Sequence, residues 1–303
     1  MKNAILWAGV LSLLLLLPAC KKDETEETKP TLTGLAINSA IPYVRVGHTL
    51  EFKADVSSIS SSDGTLPETV GLAWQVNSGT RDTLTLNAKL NNPAFRVTAE
   101  EEGTYSINCY LFGGSDYYAT SAVTSFQAIN PATALEGLTG QTETVLGSHV
   151  WMSHNLYGTE SGKDYENSEV VATLFGRFYT WEEAQAACPK GWRLPTAEEF
   201  DQDVPAEAGA LMADAVFLGE KMWAYWPEVP ITNQTGFNAI PVGFIDFAGS
   251  NSAAENFQQY AAWWTASEDG EMGLYRYIHV QEPQLMKGRG SKSSLAMSVR
   301  CVK

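Results

Sequence analysis

The stretch Cys188–Phe200, CPKGWRLPTAEEF, decides how the chain is read. A cysteine ends a helical run, directly before a Pro-Gly turn and a tryptophan. It can be a nucleophile, a metal ligand or half of a disulfide, and each answer describes a different protein. Just upstream, Trp181-Glu182-Glu183-Ala184 opens a helix with Thr180 as N-cap and Glu183 at the third helical position, a capping box. Trp181, Ala184 and Cys188 recur at three- and four-residue spacing, so the thiol points inward. Pro189 and Gly191 stop the helix. Thr196 caps a second one, AEEFDQDV, with Glu199 again third. The chain closes on SLAMSVRCVK, Ser294–Lys303, which reads as a strand alternating Leu295, Met297, Val299 and Cys301. An inward cysteine on the first helix and another on the last strand can be stapled together. Closing a loop of roughly a hundred residues is worth about 4.7 kcal/mol in the chain-entropy model. The scaffold reading therefore leads over nucleophile and ligand.

The N-terminus has its own grammar. Lys2 precedes an apolar run, Ala4–Leu17, too short to span a bilayer and typical of a secretory signal, expected over residues 1–19. Leu17-Pro18-Ala19-Cys20 resembles a bacterial lipobox, which implies cleavage before Cys20 and its lipidation. Residues 20–31, CKKDETEETKPT, are charged, end near a proline and form a flexible tether. Lys21-Lys22-Asp23-Glu24 resembles the surface-export signals of Bacteroidota lipoproteins, so the expected location is the outer membrane, facing the cell exterior. The membrane would be touched only through the lipid anchor. A formal charge of -15 argues against nucleic acid, whose phosphates are bound by clustered Lys and Arg.

Residues 32–130 read as an all-β sandwich. Leu50, Phe52 and Ala54 alternate on one face, as do Leu72, Trp74 and Val76, and Tyr105, Ile107 and Cys109. EEEGTYSINCYL resembles a core strand of an Ig-like or polycystic-kidney-disease-type (PKD) domain. Cys109 is expected to be a small buried hydrophobe and Trp74 a core tryptophan.

Residues 133–303 differ. TETVLGSHVWMSHNL, Thr142–Leu156, makes two short strands around Gly147 with Val145, Val150 and Met152 as expected anchors. Taken in order, VLGSHVWMSHNL, GRFYTWEEAQAACPKGWRLPTAEEF, GFNAIPVGF, WWTASE, YRYI and SVRCVK resemble the Fibrobacter succinogenes major paralogous domain (FISUMP), over residues 140 to 303. That family is similar to C-type-lectin-like folds. The resemblance implies an α+β C-type-lectin-like C-terminal domain after the Ig-like sandwich, and a Cys188–Cys301 disulfide.

WRLPTAEEF also looks like the formylglycine-generating family, whose chemistry needs a reactive cysteine pair binding copper; here both cysteines of this unit go to the scaffold. His149, His154 and His279 show no metal spacing. Glu182/Glu183 and Glu198/Glu199 sit in first helical turns, where acids answer the helix dipole. The Glu-Pro-Asn and Trp-Asn-Asp elements of calcium-dependent lectins are not intact: Glu282-Pro283-Gln284 follows Trp263-Trp264-Thr265. No enzyme, metal or cofactor is expected. Trp263 and Trp264 are expected in the core. Candidate ligand-binding residues are Trp223, Tyr225 and Trp226 in an aromatic loop, with Asp246, Asn256 and Tyr260 in a polar one, because flat rings grip sugar faces and peptide side chains. The expected role is capture of polysaccharide or peptide beside a SusC/SusD-type transporter. The alternative is a structural or adhesive protein docking on another.

Overall fold

A computed structural model describes residues 29–38, 41–66, 70–78, 81–88 (backbone only), 93–114, 117–158, 161–223, 229–248 and 253–303. The expected signal segment, Cys20 and nearly all of the tether lie outside the described residues. The architecture is mostly β.

The first unit contains β1 (Leu32–Thr33), β2 (Ala36–Ile37), β3 (Tyr43–Arg45), β4 (Thr49–Asp55), β5 (Ser60–Ser61), β6 (Gly71–Ser78), β7 (Arg81–Ala88), β8 (Ala94–Thr98), β9 (Gly103–Phe112) and β10 (Thr120–Ile129). One sheet runs β3-β10-β9-β6-β7 and the other β2-β4-β8. The period-two residues meet between them. Phe52 of β4 stacks on Phe126 of β10 at 5.9 Å, and Trp74 of β6 on Phe95 of β8 at 5.4 Å. Leu72, Ile107, Cys109 and Leu111 are fully buried beside them. The Tyr105 hydroxyl donates to the Glu101 carbonyl at 3.2 Å, a tyrosine corner that fixes the entry to β9. Burial pushes the Cys109 thiol up to about 12, so it stays a protonated packing group.

β10 does two jobs. Near its start, Thr31 bridges Tyr118, so the chain enters the sandwich there. At its end, Ile129 is buried with Ala134, Phe175, Phe217 and Ile240 of the second unit. The junction is packed: the Ser168 hydroxyl donates to the Tyr43 carbonyl at 2.9 Å, and the Tyr43 and Phe217 rings lie 5.9 Å apart.

The second unit contains β11 (Leu135–Glu136), β12 (Glu143–Leu146), β13 (His149–Met152), α1 (Glu169–Phe175), β14 (Tyr179–Thr180), α2 (Trp181–Ala187), α3 (Ala197–Asp203), α4 (Ala208–Leu211), β15 (Val216–Phe217), β16 (Glu220–Lys221), β17 (Phe244–Asp246), β18 (Ala254–Glu255), β19 (Tyr260–Asp269), β20 (Met272–His279), β21 (Met286–Ser291) and β22 (Leu295–Met297). Both expected capping boxes form: Thr180 with Glu183, and Thr196 with Glu199. Each is worth about 1 kcal/mol. The sheet β19-β20-β21 has a core on either face. Trp263 and Trp264, adjacent on β19, point to opposite sides. Both are fully buried; Trp263 donates to Asn155 Oδ1 at 2.9 Å and Trp264 to the Tyr179 carbonyl at 2.8 Å.

Two expectations change. In the β12–β13 hairpin, Val145 pairs with Val150 on the outer face, and Val145 is 71% exposed. The buried side is Leu146 and Trp151, because the indole fills more core than either valine. The C-terminal segment is a strand only over Leu295–Met297, and every residue from Ala296 to Val302 is buried, not alternate ones. Its second face carries Arg300, with no exposed surface at all. The guanidinium donates to Asn155 Oδ1 (2.9 Å) and to the carbonyls of Met152 (3.0 Å), Phe237 (2.6 Å) and Asn238 (3.1 Å). It lies 4.4 Å from the Phe237 ring centroid.

Cys188 and Cys301 are bonded, closing a separation of 113 residues. Replacing both by alanine should lower stability by roughly 3–5 kcal/mol in urea unfolding. Arg300→Met should cost at least about 3 kcal/mol, because three buried carbonyls lose their donor.

Candidate functional site

β19 and β20 pair antiparallel, setting Tyr260 opposite His279, Ala262 opposite Tyr277 and Trp264 opposite Tyr275. These side chains share one face of the sheet. Tyr260 stacks on Tyr277 with centroids 4.8 Å apart and planes 14° apart. Phe244 meets Tyr260 edge-on at 5.4 Å, and Tyr275 stands 5.7 Å from Tyr277. The result is a half-exposed aromatic rim over the core that holds the disulfide. Gly288, on the edge strand β21, is required: a Cβ there would lie 2.2 Å from the Tyr275 ring. Burial, then the neighbouring phenols Tyr275 and Tyr277, to which its hydroxyl is hydrogen-bonded, hold the Tyr260 phenol far above its ordinary value. The Tyr260 and Tyr275 hydroxyls are therefore neutral at any physiological pH.

One further expected residue, Asn256, touches this rim, and another, Asp246, lies on the strand that carries Phe244. The Asn256 carbonyl accepts from the Tyr260 amide at 3.0 Å, and the exposed Asn256 has φ 57. Asp246 follows Phe244 on β17, and its carboxylate accepts from the Ala248 amide at 2.9 Å. The structure thus joins Asn256 to Tyr260 through the backbone, while Asp246 pairs with Leu295 farther along β17. Trp223 does not join them. It is 4% exposed, and its Nε1 donates to the Ala239 carbonyl at 3.1 Å within the core of Phe200, Phe237 and Trp263. An indole so enclosed has no free face for a ligand, which corrects its expected role. Tyr225 and Trp226 lie outside the described residues.

A second polar cluster was not foreseen. His149 Nδ1 lies 2.6 Å from Asp203 Oδ2, and Asp203 also accepts from the Ser148 amide (3.1 Å) and Trp151 Nε1 (3.2 Å). Arg193 forms a two-pronged pair with Glu199 at 2.6 and 2.7 Å, and its Nη2 lies 3.5 Å from His149 Nε2. Ser148 Oγ and Asp203 both address Nδ1, at 3.3 and 2.6 Å. A nucleophile-base relay needs serine and acid on opposite ring nitrogens, so this cluster holds the hairpin to α3. Gly147 lets it close: its φ is 55, and a Cβ would meet Asp203 Oδ1 at 2.1 Å. Burial and the adjacent Arg300 charge keep His154 below its usual range. Among the described residues no group of three or more His, Cys, Asp and Glu could hold a metal ion.

The Arg193 pair, with the Thr196 amide and hydroxyl, holds the Glu199 carboxyl at about 2 against an ordinary 4.5. A depressed carboxylate adds stability that is complete above pH 4.5 and is lost as pH falls towards 2. Thermal unfolding followed across that window should show the loss, and Glu199→Gln should flatten it.

No curated protein matches the chain. A search of solved structures returns the Yersinia pseudotuberculosis adhesin InvE at 10% identity, covering 89% of this chain and 70% of that one, with a TM-score of 0.24. A TM-score that low does not extend to a shared fold. The model of the Fibrobacter succinogenes major domain matches residues 145–303, from β12 to the last residue and through both the rim and the His149 cluster. That is more than half of the 303 residues, and the chain belongs to this family.

Proposed function

We propose that this protein is a lipid-anchored cell-surface binder. An Ig-like sandwich carries a C-type-lectin-like unit that captures a glycan or peptide for a SusC/SusD-type outer-membrane uptake complex. The observation that supports this most is the course of β10. The chain enters the sandwich beside Tyr118, and the second unit is packed on Ile129, at the other end of that strand. Ten residues at about 3.3 Å each separate the two points by roughly 30 Å. With Cys20 lipidated and residues 20–31 as tether, the second unit stands off the membrane. Its Tyr260–Tyr277 rim, flanked by Asp246 and Asn256, is the capture surface: phenol edges take apolar contacts while hydroxyls, carboxylate and amide orient the ligand.

The test is affinity purification of the native lipoprotein from detergent-solubilised outer membrane, with mass spectrometry of what accompanies it. The expected result is a stoichiometric outer-membrane transporter. Recovery of the protein alone, while still cleaved by protease on intact cells, would instead support the adhesive role.

A further inference from the structure

The two units close on a groove of about 760 Å3, within the range that holds a small ligand. Tyr43, Arg45 and His48 line it from the sandwich, and Asn167, Glu169 and Thr173 from the second unit. Two other wall carboxylates are already paired with cations of the chain: Glu51 with Arg96 at 2.7 Å and Asp164 with Arg177 at 2.6 Å. Arg45, His48 and Asn167 have no side-chain partner among the described residues. The turn bearing Asn167 is strained: Glu166 and Asn167 have φ of 48 and 58, consecutive non-glycine residues in the left-handed region. Each costs on the order of 1 kcal/mol and persists where packing over-determines it, often at binding sites. Ser168, the next residue, is fixed to the Tyr43 carbonyl across the junction.

We propose that this groove is a binding site for a short neutral oligosaccharide, built jointly by the two units and separate from the tyrosine rim. With Glu51 and Asp164 paired, one cation, Arg45, and one carboxylate, Glu169, remain on the walls, which therefore carry little net charge. A charged ligand gains little there. A sugar hydroxyl both donates and accepts, so neighbouring hydroxyls engage guanidinium, amide and carboxylate together. The half-buried Tyr43 offers apolar surface to a pyranose ring.

The test is isothermal titration of the full-length protein in detergent with malto-, cello-, xylo- and galacto-oligosaccharides. At least one should bind saturably. Arg45→Ala and Thr173→Trp, both at exposed positions, should each weaken that binding about tenfold or more without lowering the unfolding temperature. Asn167→Gly should relieve the strained φ and keep or raise stability while still weakening binding, which a purely structural role would not do. Tyr277→Phe, on the rim, should leave it unchanged. Binding that the three groove variants leave intact would overturn the proposal, as would no binding of any of the four sugars.

Discussion

The C-terminal unit is organised around one buried cation. Burial pulls the Arg300 guanidinium down to about 9, still charged at neutral pH. An ion removed from water is expensive unless its surroundings replace the lost hydration. Among the described residues no carboxylate does so; the donors run to three carbonyls and one amide oxygen, with an aromatic ring beneath. Those acceptors come from the end of β13 and the segment after it and from the loop before β17, and the Trp263 indole donates to the same Asn155 Oδ1. Irregular segments are thereby held with the accuracy of secondary structure. Asn238 extends the same order to the loop before β12, accepting from the Thr139 amide and donating to the Thr139 hydroxyl. A fold with helices of seven residues or fewer needs such a device, because short helices contribute little stability of their own.

Around this hub the two faces of β19–β20–β21 take different tasks. One is sealed by Trp263, Ile278 and α3. The other is sealed only in part, by Trp264, the disulfide and α2, and its outer margin is the tyrosine rim. Stability and exposure are divided between two sides of one sheet. Tyrosine rings form that margin in a chain whose formal charge is -15.

The parts legible in the sequence were those carried by local periodicity. Period two in HTLEFKADVS and GTYSINCYLF located the sandwich core, and the repeated Thr-x-x-Glu pattern gave both capping boxes. The His149 cluster was missed through a single slip of parity: with Val145 and Val150 as inner residues, His149 faces solvent, whereas burial of Trp151 turns it onto Asp203. A strand pattern shifted by one residue moves every side chain to the other face. Arg300 was invisible for another reason. Its acceptors are backbone carbonyls far along the chain, and a carbonyl leaves no mark in sequence. The link of Asn256 to Tyr260 could be read because they stand four residues apart in the chain, but the Tyr275 and Tyr277 partners arrive through strand pairing.

The pairing of β3 with β10 bears on mechanics. The two strands run parallel, Tyr43 beside Gln127 and Arg45 beside Ile129. The chain reaches β3 by way of β1 and β2 and leaves β10 towards the second unit. Tension applied between the start of β3 and the end of β10 draws the two strands past one another along their length. All their hydrogen bonds are loaded together, unlike a hairpin opened rung by rung. The sandwich thereby resists tension between β3 and the second unit.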